Sequence, residues 1–351
     1  MRIIKGSNLL KIAIQSEIKD SKNLMIVGSV GSAKTETTDQ AIKELGYDRL
    51  YFSGVTSDVI DIKGFPKDRA DGSIGFEPIG VIHQMLSATE RTVFIMDDFG
   101  QALMSVMAGM MQITNKDGRL DEFRVPECVS FIVMTNRVED NSGVRPILDA
   151  FKSRFTIIQY QPSAEDWIRY GITQGYPDSW LAFASFRPQT IENWAPTSEI
   201  ANVSNSRNMS EAIESYNRYS PMIGVVDGVT SDFLTTMLYG RIGDYAVEFM
   251  HFKEVYQSLP SLTEILNDYN SAKLIGEDNP SARCAIMYSL ASKATVSNID
   301  SLFGYMKRLG NVFACSFMQL ARDYDPNIVS TECWTSFVVA NPHLFVNKLN
   351  N

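Results

Sequence analysis

Residues that build metal centres and covalent staples are scarce in this chain. It has four cysteines and three histidines among 351 residues. Cys128, Cys284, Cys315 and Cys333 show no C-x-x-C spacing, and none of His83, His251 and His343 lies nearer than ten residues to a cysteine. A zinc site and a disulfide framework are therefore not expected, and the cysteines read as free buried thiols of a reducing cytosol. No apolar run is long enough to cross a bilayer, so neither a signal peptide nor a membrane span is expected. Positive charge is also short: 32 Lys and Arg against 41 Asp and Glu leave a formal net charge of -9. That balance opposes a broad electrostatic footprint on nucleic acid. Disorder is not indicated, because 44% hydrophobic and 21% charged residues are ordinary for a folded protein, and the length suffices for about two domains.

What is present begins near the amino end. Met1 to Asp20 reads as an amphipathic helix, with Leu9, Leu10, Ile12, Ala13, Ile14 and Ile18 broken by charges. The apolar run Leu24-Met25-Ile26-Val27 then leads into Gly28-Ser29-Val30-Gly31-Ser32-Ala33-Lys34-Thr35 and a helix-compatible segment, Glu36 to Leu45. The small residues Gly28 to Ala33 allow a tight turn in which backbone N–H groups and a helix N-terminus converge on an anion. Lys34 adds a mobile positive charge, Thr35 would place a hydroxyl on a magnesium ion, and Glu36 opens the helix. The pattern is G-x-x-x-x-G-K-[ST] in every position but one, since Ala33 stands where the second glycine is usual. The stretch predicts a phosphate-binding loop; the plain alternative is a strand-to-helix turn rich in small residues.

Four more β-rich runs follow: Arg49 to Ser53, Thr92 to Met96, Val129 to Met134 and Phe155 to Gln159. Their apolar residues are continuous rather than alternating, and helical patterns lie between them. Strands buried on both faces and joined by helices make a parallel sheet, so an α/β sandwich with five strands is expected. Chemistry should gather at the carboxyl ends of those strands. Between Ser53 and Pro78 the rhythm breaks, and Asp71-Gly72 marks the turn of a small hairpin inserted into a helix. His83, on the helical stretch Gly80 to Glu90, is assigned no role.

Three further stretches supply partners for the loop. Val93-Phe94-Ile95-Met96 ends in Asp97-Asp98: Asp97 would hold the magnesium ion, and Asp98 would orient or deprotonate the attacking water. Nucleotide hydrolases usually carry Glu at that second place, and Asp98 is one methylene shorter. Met134-Thr135-Asn136-Arg137 closes the next strand, where Asn136 could hydrogen-bond the γ-phosphate or the water. Arg154, just before the last strand, could reach a neighbouring subunit's γ-phosphate, with Arg145 and Lys152 as competitors for that task.

Together, Gly28 to Thr35, Phe94 to Ala102, Met134 to Gly143 and Ser153-Arg154-Phe155 resemble the AAA+ ATPases. The Ala-Lys-Thr ending of the loop is most similar to the MoxR branch, especially the MoxR-like ATPases of bacteriophages. The resemblance covers roughly residues 20 to 210 and implies the following. Lys34 and Thr35 match the Walker A pair, Asp97 and Asp98 match Walker B, Asn136 matches sensor 1, and Arg154 matches the arginine finger. The asparagine strand should lie between the loop strand and the acidic strand, and the 53–78 insert should project toward a ring's pore. Arg207, in Ser204-Asn205-Ser206-Arg207-Asn208-Met209, resembles the lid arginine called sensor 2, although Asn-Ser precedes it where the family more often has proline. The resemblance further implies ATP and magnesium as ligands, a homo-oligomeric and usually hexameric ring, and a cytoplasmic location, that of the host for a phage protein. It suggests a protein client, of which one with a von Willebrand factor A domain is an example.

On this basis residues 1–161 are expected to form the nucleotide-binding core, 162–253 an α-helical lid, and 254–351 a helical extension. The function expected is an ATP-hydrolysing ring that remodels a protein partner. The competing expectation, favoured by the short Asp98, is a nucleotide-gated scaffold in which hydrolysis is slow. A nucleic-acid motor is disfavoured by the acidity, and a small-molecule kinase would leave Asn136 and Arg154 without purpose.

Overall fold

A computed structural model describes residues 3–115 and 117–342. Met1, Arg2 and His343 lie outside the described residues, as does the end of the expected extension. The chain divides into two compact units. One runs to Ser163 and also takes in Glu192–Arg207; the other comprises Ala164–Ile191 and what is described from Asn208 onward.

The first unit is an α/β sandwich. In chain order its elements are β1 (Ile3–Lys5), α1 (Ser7–Lys19), β2 (Leu24–Gly28), α2 (Lys34–Leu45), β3 (Asp48–Ser53), α3 (Val59–Lys63), β4 (Phe65–Asp68) and β5 (Ile74–Glu77). Then come α4 (Gly80–Leu86), β6 (Thr92–Asp97), α5 (Met104–Ile113), β7 (Arg119–Leu120), β8 (Phe123–Arg124), β9 (Val129–Thr135), α6 (Asp149–Lys152) and β10 (Thr156–Gln161). The main sheet is parallel, in the order β1-β10-β2-β9-β6-β3. It therefore has six strands rather than the expected five. The extra one is β1, so the expected helix from Met1 is corrected: Ile3–Lys5 pairs with Gln159–Gln161, and the helix begins only at Ser7.

The continuous apolar runs have a simple cause. Val93 and Ile95 of β6 face α1 and α2 with Leu10, Ile14 and Ile42, whereas Phe94 and Met96 face the opposite layer with Met85, Met107 and Met110. Both faces of the central strands are covered, and period-two alternation no longer separates inside from outside. Phe94 sits between Phe52 and Phe131, with ring centroids 6.0 and 5.8 Å away.

The Asp71-Gly72 turn does close a hairpin: Arg69 N donates to Ser73 O at 2.9 Å, and Gly72 takes a positive φ of 82°. Strands β4 and β5 form that hairpin, and β7 and β8 form a second, shorter one. The Arg69 guanidinium crosses Gly75 and pairs with Glu122 in the turn of the second hairpin, so the two hairpins share an ion pair.

The second unit is helical. It contains α7 (Ala164–Thr173), α8 (Asp178–Phe186), α9 (Gln189–Glu192, whose last residue counts with the first unit) and most of α10 (Ser206–Tyr219). It continues through α11 (Ser231–Ile242), α12 (Tyr245–Gln257), α13 (Leu262–Asn267), α14 (Pro280–Ala291), α15 (Ile299–Leu309), α16 (Asn311–Tyr324) and α17 (Glu332–Ala340). Trp180, Phe183, Phe249, Tyr305 and Phe317 are buried at its centre, so these aromatic residues serve packing. Among the described residues no helix is long and apolar enough to cross a membrane.

Phe94→Ala should destabilise the first unit by about 3–5 kcal/mol, the usual cost of emptying a large aromatic site. The measurement is the denaturation midpoint of that unit's transition in the full chain.

Candidate nucleotide site

Three parallel strands end side by side. The register pairs Val27 of β2 with Thr135 of β9, and Met96 of β6 with Val133 of β9. The segments after β2, β9 and β6 therefore emerge in a row: the small-residue loop, Asn136, and Asp97-Asp98. The expectation that the asparagine strand lies between the other two agrees with this order.

The loop is shaped by two left-handed residues, Gly31 with φ 66° and Ala33 with φ 62°. Glycine adopts that conformation freely, whereas for Ala33 it carries steric strain of about 1–2 kcal/mol. Such backbone geometry turns N–H groups toward one concave side. Ala33 is the N-cap of α2 and makes no side-chain cap, so the helix N-terminus is left to backbone donors. Ser32 Oγ donates to Ser29 O at 2.7 Å and closes the loop on itself. Val30 is half-buried, and Glu36 in the first turn of α2 is exposed.

Lys34 is only 8% exposed. Its ammonium donates to Gly28 O at 3.0 Å, Ser29 O at 2.9 Å and Asn136 Oδ1 at 3.0 Å. Burial pushes its pKa down to about 8, an effect opposed by the nearby carboxylates of Asp98, Asp97 and Asp140. Thr35 Oγ1 donates to Asp97 Oδ2 at 3.1 Å, and the other Asp97 oxygen accepts from Asp98 N at 2.9 Å. Asn136 Nδ2 lies 3.5 Å from Asp98 Oδ1. Asp98 has a left-handed backbone, φ 48°. Burial, then the neighbouring Asp97, raises its pKa above the usual carboxylate value, while Lys34 and Arg207 pull it back.

The structure thus brings Lys34, Thr35, Asp97, Asp98 and Asn136 into one network, with Arg207 in electrostatic reach of Lys34 and Asp98. Arg154 is elsewhere. It precedes Thr156, whose N–H donates to Asn23 O at the amino end of the sheet, and Arg154 Nε donates to Asn115 Oδ1 at 2.6 Å. Its own chain's loop lies at the opposite end of the strands. Lys152 pairs with Asp149 at 2.5 Å, and Arg145 is exposed.

Three further contributors are not singled out by the sequence motifs. Asp140, buried, pairs with Arg137 at 2.7 Å and adds negative charge near Lys34. Gly54 lies against Asp97-Asp98, where an added Cβ would fall 2.8 Å from Asp98 O. Asn205 lies against Gly31. The i, i+3 spacing of Arg137 and Asp140, which suits an ion pair, is a local signal for the first; nothing local signals the other two.

No protein-family model matches the chain, and no curated protein matches it. Among solved structures, it is similar to Thermotoga maritima RuvB, described as a Holliday junction branch migration motor, at 13% identity over 72% of this chain and 75% of that one, TM-score 0.38. It is also similar to a variant form of the same RuvB, at 13% identity over 87% and 88% of the two chains, TM-score 0.39. NtrX from Brucella abortus aligns at 14% identity over 91% of this chain and 67% of that one, TM-score 0.41. These likenesses decide nothing about chemistry, which rests on the side chains above.

Ala33→Gly should stabilise the first unit by about 0.5–1 kcal/mol, because relief of the left-handed strain exceeds the added unfolded-chain entropy. A higher denaturation midpoint is the readout.

Proposed function

We propose that the site binds ATP with magnesium and that the chain is an ATPase of the AAA+ class, acting as a MoxR-like ring that remodels a protein partner. One observation carries this reading: a buried lysine in a small-residue loop shares an asparagine with one of two adjacent strand-end carboxylates, Asp98, while the other, Asp97, meets the loop threonine. The residues fit the ligands. The left-handed loop and the start of α2 offer N–H donors to phosphate oxygens, from Gly28 through Glu36, and Lys34 supplies the charge. Thr35 and Asp97 would hold magnesium, which when bound neutralises phosphate charge. Asp98 orients or deprotonates the attacking water, and Asn136 hydrogen-bonds the terminal phosphate or that water. Arg207 adds positive charge in cis.

Arg154, at the far end of its own sheet, can serve only a neighbour's ATP, which supports a ring, hexameric in this family. ATP then bridges subunits, and hydrolysis weakens the bridge. In this reading residues 162–253 act as the lid, 254–351 as an extension, and the β4–β5 hairpin faces the pore. The client is a protein, a von Willebrand factor A domain being the suggested kind, and the setting is the cytoplasm, that of a phage host if the MoxR-like relatives are a guide. The scaffold reading is kept for one reason: Asp98 is one methylene shorter than the glutamate usual at this place, which positions an attacking water less well and favours slow hydrolysis.

Lys34→Ala should weaken ATP binding by about 100-fold, the worth of a charge-assisted phosphate contact. Asp98→Asn should keep binding while turnover falls by about 10²–10⁴, the span of general-base effects. Calorimetry and phosphate release separate the two, and wild-type turnover equal to that of Asp98→Asn would favour the scaffold. Arg154→Ala subunits should be inactive alone and regain turnover when mixed with Asp98→Asn subunits, because mixed interfaces restore one complete site. Full activity of Arg154→Ala alone would remove Arg154 from the mechanism.

A further inference from the structure

Glu192–Arg207 belongs to the first compact unit although it follows three helices of polypeptide beyond the last sheet strand. It is a strap with three anchors. At its start, Lys5 Nζ pairs with Glu192 Oε2 at 2.8 Å, and Gln161 Nε2 donates to Glu192 O at 3.3 Å. Next, Arg137 Nη2 donates to Trp194 O at 3.4 Å, so the residue after Asn136 holds the strap. At its end, Arg207 N donates to Gly31 O at 3.3 Å, and the Asn205 carboxamide rests on Gly31. Residues 195–202 between the anchors are exposed, whereas Asn205 is 4% exposed, with Ser204 and Ser206 buried beside it.

The loop beneath needs such a brace. Gly31, with φ 66°, has no side chain to fix its hand, and Ala33, with φ 62°, is held where an L-residue is disfavoured. Backbone of this kind persists only when its surroundings over-determine it. The fit at Gly31 is close: an added Cβ would fall 2.5 Å from Asn205 Oδ1, 2.6 Å from Cγ and 2.7 Å from Nδ2. The carboxamide therefore occupies the side of Gly31 where a Cβ would stand, and the Arg207 N–H donates to the Gly31 carbonyl.

We propose that Asn205 is a positioning residue: pressed on Gly31 by the strap, it holds the loop in its left-handed form, ready for a triphosphate. The assignment rests on reading the loop as an ATP site. It is separate from the side chain of Arg207, because it acts through the backbone of the loop and not on the phosphates.

The test uses the full chain, a fluorescent ATP analogue carrying an N-methylanthraniloyl group, and thermal melting of every variant. Asn205→Ala should weaken binding by about 5–20-fold, the factor by which the competent loop population falls. In Ala33→Gly/Asn205→Ala the loss relative to Ala33→Gly should shrink to under about threefold, because glycine at 33 removes the strain that the brace opposes. A merely structural role would lower the melting temperature without this rescue. Asn205→Ser, a smaller truncation, carries the same expectation should Asn205→Ala not fold. Wild-type affinity in both Asn205 variants, or a loss that Ala33→Gly leaves unchanged, overturns the assignment alone; failure of the wild type to bind the analogue overturns the ATP reading and the assignment together.

Discussion

Strand β9 lies between β2 and β6, and the candidate site depends on that adjacency. Parallel strands in register end together, so groups from residues 28–35, 97–98 and 136 become neighbours although the sequence separates them widely. A side chain leaving the middle strand is the only one that can touch both flanks at once. Asn136 does so with opposite ends of one amide, its oxygen toward Lys34 and its nitrogen toward Asp98. An amide suits this place because it offers an acceptor and a donor without adding charge between a cation and two anions.

The same arrangement resolves an electrostatic difficulty. A buried ammonium is expensive unless each proton finds an acceptor, and Lys34 finds three, two of them carbonyls of its own loop. Loop shape and lysine burial are thereby coupled: the turn that aims N–H groups outward aims carbonyls back at the lysine. The shifts of Lys34 downward and Asp98 upward have one common leading cause, withdrawal from water, and each partly offsets the other. Opposite charges are kept close here without a direct ion pair, and Asn136 stands between them.

How much of this is legible in the sequence depends on whether the signal is local. The five strands are readable because double burial writes itself as unbroken apolar runs, and the loop because tight turns need small residues. The hairpin at 65–77 is readable because Asp71-Gly72 is a turn signal. β1 escapes because three residues, Ile3–Lys5, merge with the helical pattern that follows, and their strand state comes from the edge of β10. β7 and β8 are two residues each, too short for any periodicity. The strap is illegible for a different reason: 195–202 has no regular structure, and the path of the chain back to Gly31 is set by anchors far away in sequence, Lys5, Gln161 and Arg137. Asn205 is on view as a neighbour of Arg207, yet its contact with Gly31 exists only in three dimensions.

The backbone at Asp98 bears on which acid can stand there. Asp and Asn tolerate the αL region better than longer side chains, since a short polar group can bond to nearby peptide groups. A glutamate at 98 would have to adopt a backbone conformation it disfavours, packed against Gly54, where an added Cβ would fall 2.8 Å from Asp98 O. The short side chain is thus matched to the bend of the main chain after β6; under the proposed ATP reading, reach toward the nucleotide is exchanged for compatibility with the turn.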